Sequence, residues 1–236
     1  MRPLRVRVLA EFLGTLFLVA AVVGSGIMGE RLAAGNVAVA LLANTLATGA
    51  ALVALILTFG PISGAHFNPA VTLADAWEGG IRWAETPYYV AAQILGGVCG
   101  AMVANVMFGL PVVSLSQHAR SGPAQWFSEW VATFGLLAVI WGCSRARPSA
   151  VPYAVAAYIT AAYWFTASTS FANPAVTIAR CLSDTFAGIR AADVPWFIGA
   201  QLLGAFAATW VFRWLVPDLR MRAKEVLVSH DVEETL

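Results

Sequence analysis

The chain has 236 residues, of which 59% are hydrophobic and only 11% are charged. Soluble domains carry about 25% charged residues, so this composition excludes an ordinary soluble protein and predicts a chain that lies mostly in a lipid bilayer. The net charge of +1, without a dense basic run, argues against a nucleic-acid partner. Three cysteines without paired spacing predict neither a disulfide framework nor a metal site.

Six segments are long enough, or nearly so, to cross the membrane, which takes about 20 mostly apolar residues in a helix. In chain order they are Val8–Met28, Val37–Phe59, Tyr88–Gly109, Trp126–Cys143, Val151–Thr166 and Trp196–Leu215. The fourth and fifth are slightly short. Two further stretches begin at Pro69 and Pro174 and are too short to cross. We expect one domain, 1–236, whose polar C-terminal tail, 217–236, lies outside the membrane.

The basic residues predict the orientation of these spans. An even number of spans places both termini on one side, and most arginines fall in the segments on that side. Because basic residues favour the cytoplasmic side, we expect both termini to be cytoplasmic. The N-terminal segment shows no convincing cleavage site and is expected to remain as the first span.

The tripeptide Asn-Pro-Ala occurs twice, as Asn68-Pro69-Ala70 and as Asn173-Pro174-Ala175. Asn favours the N-cap of a helix and Pro favours its first position. Each tripeptide therefore predicts the start of a short helix. One such start in each half of a membrane protein indicates two half-helices that meet near the middle of the bilayer.

Other phrases recur as well, which indicates an internal repeat. Ala10–Thr15 resembles Ser128–Thr133, and Ala92–Gly96 resembles Ala200–Gly204. We expect repeat one at about 8–109 and repeat two at about 126–215. Each repeat holds three spans, an odd number, so the second repeat enters from the opposite side and the half-helices meet N-terminus to N-terminus.

Such a meeting point favours neutral solutes. Each helix N-terminus carries roughly +0.5 elementary charge, so two at one depth repel cations and hopping protons, while the amides of Asn68 and Asn173 can still donate hydrogen bonds. Glu11 and Glu129 are the charges placed most deeply within spans. Since they occupy equivalent positions in the two repeats, we expect each to hold a re-entrant loop by accepting its hydrogen bonds.

The phrase from Ser63 to Thr72, SGAHFNPAVT, resembles the first signature of the aquaporin or major intrinsic protein family. The resemblance implies an all-α membrane protein with six transmembrane helices and two re-entrant half-helices in an inverted repeat. It also implies passive flow of water or small neutral solutes, no enzymatic activity, no cofactor, and a homotetramer surrounded by membrane lipid. For a bacterial member it implies the inner membrane.

The second signature departs from the family, because Val176 stands where the resemblance implies an arginine of the outer selectivity filter. Counting from the signatures gives Thr48, Ala161 and Ser170 as the other filter positions, with Thr160 as the alternative on the fifth span. These small residues predict a wide constriction. The nearest resemblance is to bacterial aquaglyceroporins associated with arsenic resistance, which implies glycerol-like polyols, arsenite, methylated arsenicals and water as solutes.

Three further residues are predicted to line the pore entrances. His66 lies two residues before Asn68 in the first signature and resembles the family's histidine at the inner vestibule. Asp75 and Arg180 each lie seven residues after a signature Asn, so we expect a negative inner vestibule and a positive outer one. A water-selective channel and a secondary transporter remain alternatives, since inverted repeats with half-helices build transporters too.

Overall fold

The computed structural model describes residues 2–216, and the regular secondary structure over that range is entirely helical. The helices are α1 (Leu4–Leu32), α2 (Val37–Ser63), α3 (Pro69–Glu78), α4 (Thr86–Met107), α5 (Pro123–Ala146), α6 (Val151–Phe165), α7 (Pro174–Arg180) and α8 (Val194–Leu215). Short 3-10 turns, Pro148–Ala150 and Ala191–Asp193, lead into α6 and α8. The expected extramembrane tail, 217–236, lies outside the described residues.

Five helices of the described residues are long and apolar enough to cross a membrane: α1, α2, α4, α5, and α8 with its preceding turn. The sixth, α6, has only 15 residues, fewer than the roughly 20 that a perpendicular crossing needs. The span predicted as Trp126–Cys143 corresponds to α5, which is longer than predicted and runs from Pro123 to Ala146. The span predicted as Val151–Thr166 has almost the predicted bounds.

The long helices pack in the same order in both halves. Helix α1 packs against α2 and α4, and α5 packs correspondingly against α6 and α8, while α2 and α6 join the halves. Glycines permit the closest approaches at equivalent places. A β-carbon at Gly96 would lie 2.3 Å from the carbonyl oxygen of Phe12, and one at Gly204 would lie 2.5 Å from that of Trp130. Both distances are too short for any side chain.

The half-helices α3 and α7 begin at Pro69 and Pro174, as the motifs predict. The side chain of Asn68 accepts a hydrogen bond from the Ala70 N–H, and that of Asn173 accepts bonds from two N–H groups of α7. The loop before each half-helix has left-handed backbone conformations at equivalent positions, one and three residues before the Asn. The same irregular path therefore leads into both half-helices.

Candidate functional site

The two half-helices meet end to end through reciprocal hydrogen bonds. The Asn68 side-chain amide donates to the carbonyl of Ala172 at 2.7 Å, and the Asn173 amide donates to the carbonyl of Phe67 at 2.8 Å. Since a primary amide has two N–H groups, each Asn retains one donor after this bond. Both residues line the same central cavity, so two donors are held at the junction by the opposite repeat.

Glu11 and Glu129 lie fully buried beside the two loops. The carboxylate of Glu11 accepts hydrogen bonds from the backbone N–H groups of His66 and Phe67 at 3.0 and 2.7 Å. Glu129 accepts bonds from the N–H groups of Phe171 and Ala172 at 2.8 and 2.9 Å. These N–H groups belong to irregular backbone that lacks helical partners, so the carboxylates satisfy donors that would otherwise be buried without an acceptor.

A glutamine from the third long helix of each repeat completes this arrangement. Gln93 donates to Glu11 at 2.7 Å and to Thr72 of α3 at 2.8 Å. Gln201 donates to Glu129 at 2.6 Å and to Thr177 of α7 at 2.9 Å. Neither glutamine was predicted as a site residue, although the signal was present in the repeated Ala-Gln-x-Leu-Gly phrase that contains both.

A central cavity runs from His66 past the two signature asparagines to Arg180. It leaves about 60 Å³ for the centres of water molecules, which is enough for roughly four to six waters, since one needs about 10–15 Å³. One wall carries the polar groups of the half-helices and loops. The other is apolar and is formed by Leu18, Val22, Leu52, Ile56, Leu136, Ile140, Val155 and Ile159.

One predicted filter position requires correction. Ala161 is exposed on the outer surface of α6 and does not line the cavity. The alternative, Thr160, faces α2, where its carbonyl accepts a bond from Thr45 at 2.9 Å. Among the α6 residues that line the cavity, Tyr163 is the one beside Thr48, and their hydroxyl oxygens lie 3.2 Å apart. The ungapped count back from Asn173 fails because this cavity-lining residue of α6 lies closer to Asn173 in the chain than the count assumes.

The other predicted filter positions, Thr48, Ser170 and Val176, all line the cavity. Arg180, one turn beyond Val176 on α7, lines it as well and is only 2% exposed. Its guanidinium group lies 3.4 Å from the ring centroid of Phe171, and its Nε donates to the carbonyl of Ala187. Sequence reasoning missed Tyr163 and Phe171 here, although Val155, Ile159 and Tyr163 recur at four-residue spacing on one face of α6.

The opposite end of the cavity opens into a vestibule of about 460 Å³, lined by His66, Asp75, Tyr89 and residues of the N-terminal segment. The His66 Nε2 lies 3.6 Å from a carboxylate oxygen of Asp75, and its Nδ1 lies 3.1 Å from the Thr72 hydroxyl. His66 and Asp75 are equivalent by repeat to Phe171 and Arg180. The two mouths thus use the same pair of positions with an acidic residue at one end and a basic residue at the other.

The loop near this vestibule also carries an ion-paired carboxylate. Glu85 accepts hydrogen bonds from Arg7 at 2.7 Å and from Arg82 at 2.5 Å. Burial raises the pKa of Glu85, but the bonds from the two arginines outweigh this effect and leave the pKa below its ordinary value. Asp193 is the equivalent residue before α8, and it pairs with Arg190 at 3.0 Å.

Comparisons with known proteins agree with this architecture. The family model described as Major intrinsic protein matches residues 3–149 and again residues 142–235. The chain is 55% identical over 214 residues to the aquaglyceroporin AqpS of Rhizobium meliloti (strain 1021), which covers 91% of each chain. It is 32% identical over 219 residues to aquaporin NIP2-3 of Zea mays, covering 89% of this chain and 69% of the relative.

The fold likewise resembles a solved channel structure. The X-ray structure of the aquaglyceroporin from Plasmodium falciparum matches with a TM-score of 0.72 at 18% identity, covering 93% of this chain and all of that one. At this identity the likeness establishes the fold alone. The family match and the extended identity to AqpS establish membership: the chain belongs to the major intrinsic protein family and is a multi-pass membrane channel, not an enzyme.

Proposed function

We propose that the channel conducts small neutral solutes passively, and that glycerol-like polyols, arsenite, methylated arsenicals and water are the solutes it passes. The observation that carries this proposal is the continuous cavity from His66 to Arg180, with asparagine donors on one wall and aliphatic side chains on the other. A polyol presents hydroxyls along one edge and carbon atoms along the other. Such a solute matches both walls at once.

The junction of the half-helices supports selection for neutral solutes. The positive ends of α3 and α7 meet at Asn68 and Asn173, so a cation is repelled where the path passes this junction. The carboxylates of Glu11 and Glu129 already accept hydrogen bonds from the loops. Neither is offered to a coupling ion, which favours a channel over the alternative of a secondary transporter.

The constriction differs from the wide opening predicted from four small residues. Thr48, Ser170 and Val176 are small or medium in size, but the ring of Tyr163 occupies part of the space that Ala161 was expected to leave open. We propose that this set admits a solute of the size of glycerol. The similarity to AqpS, which is named an aquaglyceroporin, supports it.

Assembly and location are proposed with the function. A homotetramer in a bacterial inner membrane, with cytoplasmic termini and lipid around its rim, is consistent with large apolar side chains that remain exposed on a single subunit. Examples are Phe17 (55%), Leu46 (56%) and Trp210 (70%). Crosslinking of the purified protein in detergent and protease access to the termini in oriented vesicles test these two statements.

Stopped-flow permeation in proteoliposomes tests the function directly, with water, glycerol and arsenite compared in one preparation. We expect all three to pass without saturation and without accumulation against a gradient. Passage of water alone would establish the water-selective alternative, and saturable uphill accumulation would establish the transporter.

Substitutions at the constriction test which residues set its width. Val176→Arg adds bulk and charge beside Arg180, so we expect glycerol flux to fall at least tenfold while water flux falls less. Tyr163→Ala is expected to raise glycerol flux several-fold by removing the ring. Ala161→Leu, on the exposed face of α6, is the matched control and should change neither flux. An effect at Ala161 without one at Tyr163 would contradict the corrected position.

A further inference from the structure

Two buried arginines at one mouth of the channel form no ion pair with any residue of the described range 2–216. Arg180 is 2% exposed and Arg120 is 9% exposed. Buried cations in proteins are normally paired with an anion, because removing an isolated charge from water costs many kcal/mol. The absence of a side-chain partner therefore raises the question of what neutralises this end of the pore.

The hydrogen bonds of the two arginines differ in one respect. Arg120 uses Nε and both terminal nitrogens on the backbone carbonyls of Gly188, Ser168 and Phe186. Arg180 uses only Nε, which donates to the carbonyl of Ala187. Its two terminal nitrogens find no acceptor among the described residues, and the side chain lines the central cavity. Arg180 therefore offers unused N–H donors to the pore.

The arginines are close to one another because both lie over the ring of Phe171. The Cζ atoms are 3.4 Å (Arg180) and 5.1 Å (Arg120) from the ring centroid. The nearby carboxylate of Glu129 compensates part of this charge, but its oxygens already accept three hydrogen bonds from the loop and Gln201. In the adjoining loop, burial together with the charges of Arg120 and Arg180 lowers the pKa of His118, as expected beside a net positive mouth.

Further unused donors lie in the same part of the cavity. The Ser170 hydroxyl is buried and has no hydrogen-bond partner among the described residues. Thr48 and Tyr163 share one hydrogen bond, so one of their two hydroxyl hydrogens remains for a ligand. The apolar surfaces of Val176 and Phe171 line the cavity next to these groups. The mouth thus combines a guanidinium group and hydroxyl donors with an apolar wall.

We propose that this mouth is a binding site for a small, singly charged oxyanion that carries an apolar face, held by Arg180 and the hydroxyl of Ser170. Charge-assisted bonds between a guanidinium group and an oxyanion are shorter and stronger than neutral ones. The aliphatic or aromatic wall accommodates the carbon substituent. A bound anion occupies the path of the neutral solutes and slows their passage. The site goes beyond the proposed conduction of neutral solutes, since it selects for negative charge.

Glycerol flux in proteoliposomes, with methanesulfonate present at equal concentration on both sides, tests the site. Methanesulfonate is a permanent monoanion with a methyl face, and dimethyl sulfone is its neutral counterpart of similar shape. We expect saturable inhibition by methanesulfonate and none by dimethyl sulfone. Gluconate, a monoanion whose longer chain carries hydroxyls in place of an apolar face, serves as the control for ionic strength. Equal inhibition by all three compounds, or by none, would overturn the proposal.

Variants identify the residues involved. Arg180→Gln is expected to raise the methanesulfonate concentration for half-inhibition at least tenfold, while Arg180→Lys retains part of the affinity because it keeps the charge. Arg31→Gln removes an exposed arginine from the same end of the molecule and should leave half-inhibition unchanged. If Arg180→Gln does not fold, Ser170→Ala provides the test, with an expected several-fold weakening.

The two proposals fail separately in this assay. Glycerol flux without any anion reports on the channel, and its dependence on methanesulfonate reports on the site. Glycerol flux that methanesulfonate does not alter would refute the proposed anion site and would leave the proposed channel function intact. If Arg31→Gln weakened inhibition as much as Arg180→Gln, the effect would belong to surface potential and the assignment to Arg180 would be wrong.

Discussion

Replacement of Glu129 by Gln tests whether a buried carboxylate holds the second loop in place. One carboxylate oxygen accepts the Phe171 N–H, and the other accepts the Ala172 N–H and the Gln201 amide. A glutamine has the same shape but only one acceptor oxygen. In its better orientation the new NH2 group faces the Phe171 N–H, and that backbone donor loses its acceptor.

The cost follows from these contacts. A buried donor without an acceptor costs about 1–3 kcal/mol, and two bonds that lose charge assistance weaken by about 1 kcal/mol each. Relief from burying a charge offsets part of this loss, which leaves a net destabilisation of about 2 kcal/mol or more. For a chain of this size each kcal/mol shifts Tm by about 2–4 °C. We therefore expect Tm to fall by at least about 4 °C.

Thermal unfolding in detergent measures the stability, and stopped-flow glycerol permeation measures the channel. Flux should fall together with Tm, because the loosened loop carries Phe171, the ring that supports Arg180. Glu30→Gln, which removes an exposed carboxylate, is the matched control and should behave like the parent. If Glu129→Gln kept the parent's Tm and flux, the loop would not depend on the carboxylate, and the reasoning would be refuted.

Two other predictions concern packing and pH. Gly204→Ala places a methyl group against the Trp130 carbonyl and should destabilise the protein by about 1–3 kcal/mol, whereas Gly199→Ala, which meets nothing within 4 Å, should cost nothing measurable by thermal unfolding. Because the pKa of Glu85 lies below its ordinary value of 4.5, its ion pairs stabilise the folded state above that pH, and the stabilisation is lost as the pH falls through the lower folded-state pKa. The parent should therefore exceed Glu85→Gln in Tm at neutral pH and approach it in acid, and a difference that persisted or grew in acid would contradict the assignment.

Repeated sequence phrases predicted most of the architecture because the physical constraints on them are local. Asn followed by Pro specifies a helix start wherever it occurs, so the beginnings of α3 and α7 could be placed at Pro69 and Pro174. Long apolar runs predicted the crossing helices for an equally local reason. Each segment in the bilayer must pair its own backbone N–H and C=O groups, and an α-helix does this within the segment. Glu11 and Glu129 lie deep within spans at equivalent positions of the two repeats, and this placement predicted that each holds a re-entrant loop by accepting its hydrogen bonds.

Only the tertiary structure decided which side chains form the constriction. Ala161 was placed by counting along the chain, but the number of loop residues between α6 and α7 sets how far the count must shift, and sequence spacing does not reveal it. In the structure Ala161 lies on the exposed face of α6, and the hydroxyl of Tyr163 contacts that of Thr48. Arg120 gave no local signal at all, because its role depends on carbonyl groups some 50 to 70 residues away in the chain. Local sequence fixes helices and their starts, whereas the chemistry of a pore mouth depends on distant segments that meet only in the folded chain.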